Sequence, residues 1–430
     1  MVPGMLEKSP DDTHQVRSRL FSLDILRGLA ALLVLFEHLP IKAIPPYQGP
    51  EFILEGLRRI GWCGVDLFFV LSGFLISGLL FAEFKRDGAL RPVRFWLRRG
   101  FKIWPCYFIA YGAMTGLNLL HAHWIGDAAK WSHHMRTLLP NILFVQNYCS
   151  IPVRWDNSWS IAVEEHFYFL LPLVLLGLAS RGRRMSADEP ARWFRPLLPM
   201  TFLLVGAVFA VRTILAARGA SAFDLYYPTH LRVDSLFVGV FLGYLQHFHR
   251  DRLQPLAKFW PYLLAMAPLA LVLPLCFPLK LSPLCSTVGF SMLAVSFGAT
   301  VLAAGLHPQF GRQGRLSPIT KFLAWIGVYS YTIYVAHSVV YDIPGMTNLR
   351  LWLKTLVGGP ETMPAIWLDR LLFLGLSIAG AVALSHLVER PFLRLRDRWI
   401  PSSSKAPTQA NPSLVVIDTT ESDVAMRRAA

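Results

Sequence analysis

Charge is scarce in this sequence. Only 16% of its 430 residues are Asp, Glu, Lys or Arg, against about a quarter in an ordinary soluble domain. Acidic residues are the scarcer class, 27 against 42 basic ones. With 54% hydrophobic residues and a mean hydropathy of +0.42, the deficit argues against a water-soluble globule and for a polytopic membrane chain. Cysteine is also rare. Cys63, Cys106, Cys149, Cys276 and Cys285 lie in or beside apolar segments without a CxxC pair, so most read as small buried hydrophobes. Cys63 and Cys149 are the two that could meet at an oxidising outer face. The apolar run after Arg27 lacks an A-x-A site and continues into Glu37 and His38, so no cleaved signal peptide is expected. Internal repeats and a second folded domain are not apparent.

Basic residues dominate what charge there is, for a formal net charge of +15. They fall in short clusters between apolar runs, which argues against a nucleic-acid partner and matches the positive-inside rule. Windows of about 20 apolar residues predict ten spans. They lie near 21–40, 62–82, 101–120, 160–179, 197–217, 231–247, 259–277, 284–305, 321–341 and 366–388. The stretch 138–148 is short for a span and reads better as interfacial or re-entrant. With the N-terminus inside, the basic loops "KRDGALRPVRFWLRRGFK", "RGRRMSADEPARWFR", "HRDRLQPLAK" and "GRQGRLSPITK" are cytoplasmic, as is the terminal "ERPFLRLRDR". Basic residues then favour the inside by roughly 25 to 10. The expectation is an all-α integral membrane bundle of about ten helices, with both termini cytoplasmic.

The first span, "LDILRGLAALLVLFEHL", carries Asp24, Arg27, Glu37 and His38. A charge at membrane depth costs roughly 2.5–3.5 kcal/mol on insertion scales, so such residues are functional by default. Eleven residues close to within about 20° of three turns, which puts Arg27 and His38 on one face about 16 Å apart. Asp24 is one turn from Arg27 and can pair with it. Glu37 lies roughly 100° off that face, and its role is open. Four other spans also send ionisable groups to the outer half: Asp66, the Glu164–Glu165–His166 run, Arg232 with Asp234, and His337. Such convergence predicts a polar cavity opening outward. On the inner side, Arg27 and the Arg98, Arg99, Lys102 cluster form an anion site.

Plainer readings stand beside each of these. Asp24 with Arg27 could be a helix-start ion pair, and the Arg98–Arg99–Lys102 group only a topology signal. Glu164 and Glu165 near a helix N-terminus are favoured by the macrodipole whatever they do. Arg232 and Asp234 could be a structural pair. His38 could simply hydrogen bond to a neighbouring helix. The stretch "HAHWIGDAAKWSHHM" holds His121, His123, His133 and His134. It has no cysteine or paired carboxylate at ligand spacing, so it reads as a solvated loop and no metal site is expected.

Several segments together resemble the membrane-bound acyltransferase family 3, O-acetylases of surface glycans and some small-molecule glycosides. The family hallmark, an Arg, ten residues and a His in the first helix, reads Arg27 to His38 here. "GVDLFFVLSGFLI", "RRGFKIWP", "WSIAVEEHFYFLLP", "RVDSLFVGVFLG", "YSYTIYVAHSVV" and "ERPF" follow in family order, covering about residues 20–395. Two positions depart from the pattern. His166 replaces a frequent Gln, and Lys102 stands where Arg is common, keeping the charge but losing the bidentate fork. The chain has too little sequence after "ERPF" for the esterase-like domain fused in some members. Expected divisions are a cytoplasmic segment 1–19, a transmembrane acyltransferase domain 20–398 and a disordered cytoplasmic tail 399–430.

The resemblance implies acyl transfer, of acetyl in the family's usual chemistry, from cytoplasmic acetyl-CoA or another acyl-CoA to a glycan hydroxyl. Arg98, Arg99 and Lys102 would hold the donor's phosphates, with Arg27 further along the pantetheine path. His38 would be general base or transient acyl carrier, with Glu164 orienting it. Asp66, Arg232, Asp234 and His337 would contact the acceptor, Arg232 or His337 stabilising the oxyanion. Implied partners are acyl-CoA, a glycan or glycolipid such as polysaccharide or lipopolysaccharide, membrane lipid and a second copy of the chain. The implied location is the bacterial cytoplasmic (inner) membrane. The rival reading is a transporter or flippase, since intramembrane charges suit it equally.

Overall fold

The computed structural model describes residues 10–40, 50–149, 157–185, 190–277, 282–307, 316–341, 346–360 and 362–401. Among these every regular element is helical, and the chain is an all-α polytopic membrane bundle. Residues 1–9 of the expected N-terminal segment and 402–430 of the expected tail lie outside the described residues. Each of the ten expected spans falls on a helix. Among the described residues, six stretches are long and apolar enough to cross a membrane: Cys63–Asp87, Ser158–Arg184, Ala191–Ala217, Arg250–Cys276, Cys285–Leu306 and Met363–Trp399.

Helix α1 (Pro10–Glu37) begins well before its apolar run, with a proline at its first position, where the missing N–H costs nothing. The short amphipathic α2 (Pro50–Gly61) leads into α3 (Cys63–Asp87). Helix α3 is apolar all round and mostly buried, so it forms the centre of the bundle. It stops at Gly88, whose φ of 64° supplies the left-handed cap. Pro92 then opens α4 (Pro92–Trp124). The "RPVRFWLRR" stretch, expected as an inner loop, is therefore mostly the start of this helix, because it holds good helix formers after a proline start.

At its other end α4 turns through Gly126 into α5 (Ala128–Ile142). The four histidines expected in a loop sit on these two helices. Tyr107 and Tyr111 of α4 donate to the carbonyls of Asn141 and Thr137, which seats α5 against α4. The chain continues through α6 (Ser158–Met185), α7 (Pro190–Trp193), α8 (Leu197–Ala217), α9 (Ala222–Tyr226) and α10 (Val233–Phe248). Next come α11 (Arg250–Leu253), α12 (Trp260–Cys276) and α13 (Phe290–Leu306). The outer walls of α8 and α12 expose Phe202, Leu203 and Leu269, as a lipid-facing surface does.

The ninth expected span is two helices, α14 (Ser317–Val328) and α15 (Ser330–Tyr341), broken at Tyr329. Gly327, just before the break, is the weakest helix former of the stretch. After α16 (Met346–Leu356), helix α17 (Met363–Leu384) passes through a π turn at Ser385–Glu389 into α18 (Arg390–Trp399). Trp399, Ile400 and Pro401, expected in the tail, contact the bundle. Phe101 meets Trp399 edge-on, and Arg98 and Arg94 donate to the carbonyls of Ile400 and Pro401.

Two glycine crossings fix the helix positions. A methyl group on Gly28 would overlap the Leu323 carbonyl, and one on Gly327 the Asp24 carbonyl, so α1 and α14 touch backbone to backbone. Helices α3 and α10 meet in the same way through Gly73 and Gly239. All five cysteines are unbridged, Cys63 and Cys149 included.

Candidate active site

A cavity of about 270 Å³ runs between α1, α3, α4, α6, α14 and α15 and reaches the α17–α18 junction. Helix α3 lines it with Phe68, Ser72, Leu75, Leu79, Glu83 and Arg86, at spacings of three and four. From Phe68 to Arg86 this stripe rises about 27 Å, close to the roughly 30 Å of a hydrocarbon core. The helical repeat of α4 brings Arg94, Arg98, Arg99 and Lys102 onto one face of the same cavity. With Arg27, Arg86 and Arg396, seven cationic side chains face three carboxylates, Glu83, Glu164 and Glu389. This end has the electrostatics of an anion site.

The cations are not equivalent. Arg27 is held by Asp24 at 2.9 Å, the pairing the sequence suggests. Arg98 bonds to the Ile400 carbonyl and lies 3.4 Å from Asp397, so α18 occupies part of its fork. Arg99 and Lys102 have no hydrogen-bond or ion-pair partner among the described residues. Glu164 faces the cavity and accepts from the Tyr168 hydroxyl at 3.0 Å, which in turn bonds Ser72 at 2.5 Å. Glu165, about 100° around the helix, is turned away and accepts from Trp104 at 3.0 Å.

At the other end, Phe68 and Tyr334 line the cavity with their rings 6.1 Å apart. The Tyr334 hydroxyl is fixed by the Asn157 carbonyl at 2.8 Å and Ser160 at 2.5 Å. Beyond Tyr334 lies His337, ring to ring at 5.8 Å, and beyond that His38, 4.9 Å from His337. Nδ1 of His38 is 2.9 Å from the Val34 carbonyl, and Nδ1 of His337 is 3.1 Å from the Ile333 carbonyl. A carbonyl oxygen can only accept, so Nδ1 carries a proton in both rings, and in the neutral form of each Nε2 is the lone pair.

Comparison with known proteins bears on what this arrangement belongs to. The family model described as an acyltransferase domain, Acyl_transf_3, matches residues 20–388. The chain belongs to this acyltransferase family. Among curated acyltransferase relatives, the peptidoglycan O-acetyltransferase OatA of Listeria monocytogenes is 26% identical over 373 residues, 83% of this chain and 53% of its own. The putative peptidoglycan O-acetyltransferase YrhL of Bacillus subtilis is 27% identical over 334 residues, 74% of this chain and 48% of its own. The O-acetyltransferase OatA of Staphylococcus aureus is 26% identical over 52% of this chain and 34% of its own. The chain thus spans about half the length, or less, of these relatives. No solved structure matches.

Within this acyltransferase fold, Arg27, Arg98, Arg99, Lys102 and Glu164 share the cavity, whereas His38 and His337 sit beyond its aromatic end. Glu164 does not bond to His38; its partner is Tyr168. Asp66, Arg232 and Asp234, expected at an acceptor, are sealed away from it. Asp66 and Arg232 form a fully buried pair at 2.8 Å, and Asp234 pairs with buried Arg212 at 2.6 Å. Arg232 and Asp234 do not pair with each other because residues two apart point away from one another. Arg212 was invisible as a partner, lying alone in the apolar α8. In the neutral ring the one N–H of His337 points to the Ile333 carbonyl, so in this arrangement it offers none to an oxyanion. Sequence reasoning also missed Tyr168, although its position four residues after Glu164 was a usable signal. It missed Glu389 and Arg396 too, which the π turn brings to the cavity.

Proposed function

We propose that this chain is an O-acyltransferase of the bacterial cytoplasmic membrane. It would move an acyl group, acetyl in the first instance, from cytoplasmic acyl-CoA to a hydroxyl of an exported glycan. The observation that carries this reading is the cavity: Arg99 and Lys102 at one end, without hydrogen-bond or ion-pair partners among the described residues, an apolar wall along α3, and a histidine pair beyond the other end. The cations suit a coenzyme's phosphates, and the wall suits an uncharged pantetheine arm and acyl group. With both termini on the cytoplasmic side, the donor enters where the cations are and the acceptor meets the histidines. Peptidoglycan is the acceptor to test first, since it is the glycan in the names of two relatives.

His38 is the general base in this scheme. Its Nε2 takes the proton of the acceptor hydroxyl as the oxygen bonds to the acyl carbon. The carbon–sulfur bond then breaks, and the proton passes to the departing thiolate. Arg27 assists along the donor's path, and Glu164 balances the charge of Arg27 and Arg99. Phe68 and Tyr334 must part for the acyl group to reach His38, so transfer includes a conformational step.

The test is labelled acetyl-CoA given to purified protein in lipid nanodiscs with peptidoglycan fragments. Label should pass to the glycan in wild type and not in His38→Ala. Arg99→Ala and Lys102→Ala should each raise the donor KM about tenfold or more, in a salt-sensitive way. Undiminished transfer by a folded His38→Ala variant would sink the mechanism. Passage of unmodified glycan across proteoliposomes, without labelling, would replace the transferase by a transporter.

A further inference from the structure

The His38–His337 contact holds more than a base and its neighbour. The His337 ring is fully buried, its Nδ1–H is used by Ile333, and its Nε2 has no hydrogen-bond partner among the described residues. A buried imidazole lone pair without a donor is costly and uncommon in a folded chain. The ring packed against it, 4.9 Å away and inclined by 67°, is that of His38, the more exposed of the two. Neither Nε2 has a proton to offer the other while both rings are neutral.

We infer that His337 is a positioning residue for His38, acting through its Nε2 lone pair when His38 becomes an imidazolium. This rests on the reading of His38 as the base. When His38 takes the acceptor's proton, positive charge spreads over its ring, and the neutral His337 ring packed against it at 4.9 Å still has an Nε2 lone pair to turn toward that charge. The charge is transient: it appears as the oxygen–carbon bond forms and leaves when the thiolate takes the proton. His337 touches no reacting atom and gains or loses no proton in the cycle. It holds the His38 ring in place and favours its charged form. Other titratable or charged groups at this end are Tyr334 on α15, Glu37 beside His38, and the Arg370–Glu51 pair. Arg370 lies 3.4 Å from the Pro40 carbonyl, two residues beyond His38.

The substitutions His337→Phe and His337→Gln separate this role from packing. Phenylalanine keeps a ring without a lone pair; glutamine gives up the ring but offers a carbonyl oxygen. His337→Phe should lower kcat roughly ten- to a hundredfold, the scale on which the partner of a functional imidazole acts, with little change in the donor KM. Its kcat/KM profile should have its acidic limb displaced to lower pH, because an imidazolium that is less favoured loses its proton more readily. His337→Gln should recover part of the rate and move the limb back. An unmoved limb in a folded His337→Phe variant, or equal losses in both variants, would overturn the inference. His38→Ala, run in parallel, distinguishes the two levels. If it keeps activity, the base assignment has failed; if it is inactive while His337→Phe is normal, only the role of His337 has.

Discussion

The buried pair of Asp66 and Arg232 gives a quantitative test of whether these residues bind an acceptor or hold the bundle together. Both side chains are 0% exposed and share one 2.8 Å contact. Removing one member of such a pair costs roughly 3–5 kcal/mol, because the other is left buried and uncompensated. After Asp66→Ala the Arg232 guanidinium still faces the rings of Phe290, Tyr226, Trp159 and Phe69, the first at 3.9 Å. A desolvated cation over a ring recovers about 2 kcal/mol, so Asp66→Ala should lose about 1–3 kcal/mol. Arg232→Met leaves a carboxylate with no ring to help it and should lose the full 3–5 kcal/mol. The double variant Asp66→Ala/Arg232→Met removes both charges, leaves neither uncompensated, and should lie within about 1 kcal/mol of wild type. The resulting coupling is roughly 3 kcal/mol or more, readable as a double-mutant cycle from unfolding in micelles. The double variant should also transfer acyl groups at near the wild-type rate. If its instability equals the sum of the singles, the pair is not the source of the cost. If it is stable but inactive, Asp66 and Arg232 act on substrate after all.

Three further outcomes follow from other contacts. Gly327→Leu should lower the melting temperature sharply, and Gly327→Ala less so, since any Cβ overlaps the Asp24 carbonyl across the α1–α14 crossing; an unchanged melting temperature in both would contradict that crossing. Tyr168→Phe removes the donor to Glu164 and the partner of Ser72, and should cost about 1–3 kcal/mol in unfolding measurements. A cost near zero would mean Glu164 does not depend on that hydroxyl. Hydrogen bonds from Arg370 at 2.6 and 2.7 Å hold the Glu51 carboxyl below its ordinary value of 4.5. A depressed carboxyl favours the folded state above the unfolded value and loses that advantage as pH falls through the folded one. Wild type should therefore be more stable than Glu51→Gln above about pH 4.5, with the gap closing in acid. A gap that widens in acid would refute the pairing.

Helix positions were legible because a membrane span must be long and apolar, and that constraint survives without knowledge of any neighbour. This legibility failed in two places. In α4 the basic run was expected as a loop before the span, whereas after Pro92 it forms the first turns of the helix. At Tyr329 an apolar stretch concealed a break, because hydropathy does not register the loss of one helical turn. In the site, the face shared by the α4 cations followed from their spacing, as did the pairing of Asp24 with Arg27. Partners across helices did not. That Asp66 meets Arg232 and Asp234 meets Arg212 depends on how α3, α8 and α10 pack, which no spacing within one helix encodes. The same is true of His337 meeting His38. The tautomers also needed the structure, since they follow from which carbonyl each Nδ1 reaches.

The π turn at Ser385–Glu389 acts as a phase shifter. By taking one residue more than an α-helical turn, it moves everything after it about 100° around the axis relative to α17. Helix α17 can therefore present one face to α15, while Glu389 and Arg396 come round to the cations of α4. Winding the same residues as a regular α-helix would leave composition and hydropathy untouched. It would rotate Arg396 off the cavity by about 100°, so the electrostatics of the cationic end depend on how this segment is wound as much as on its residues.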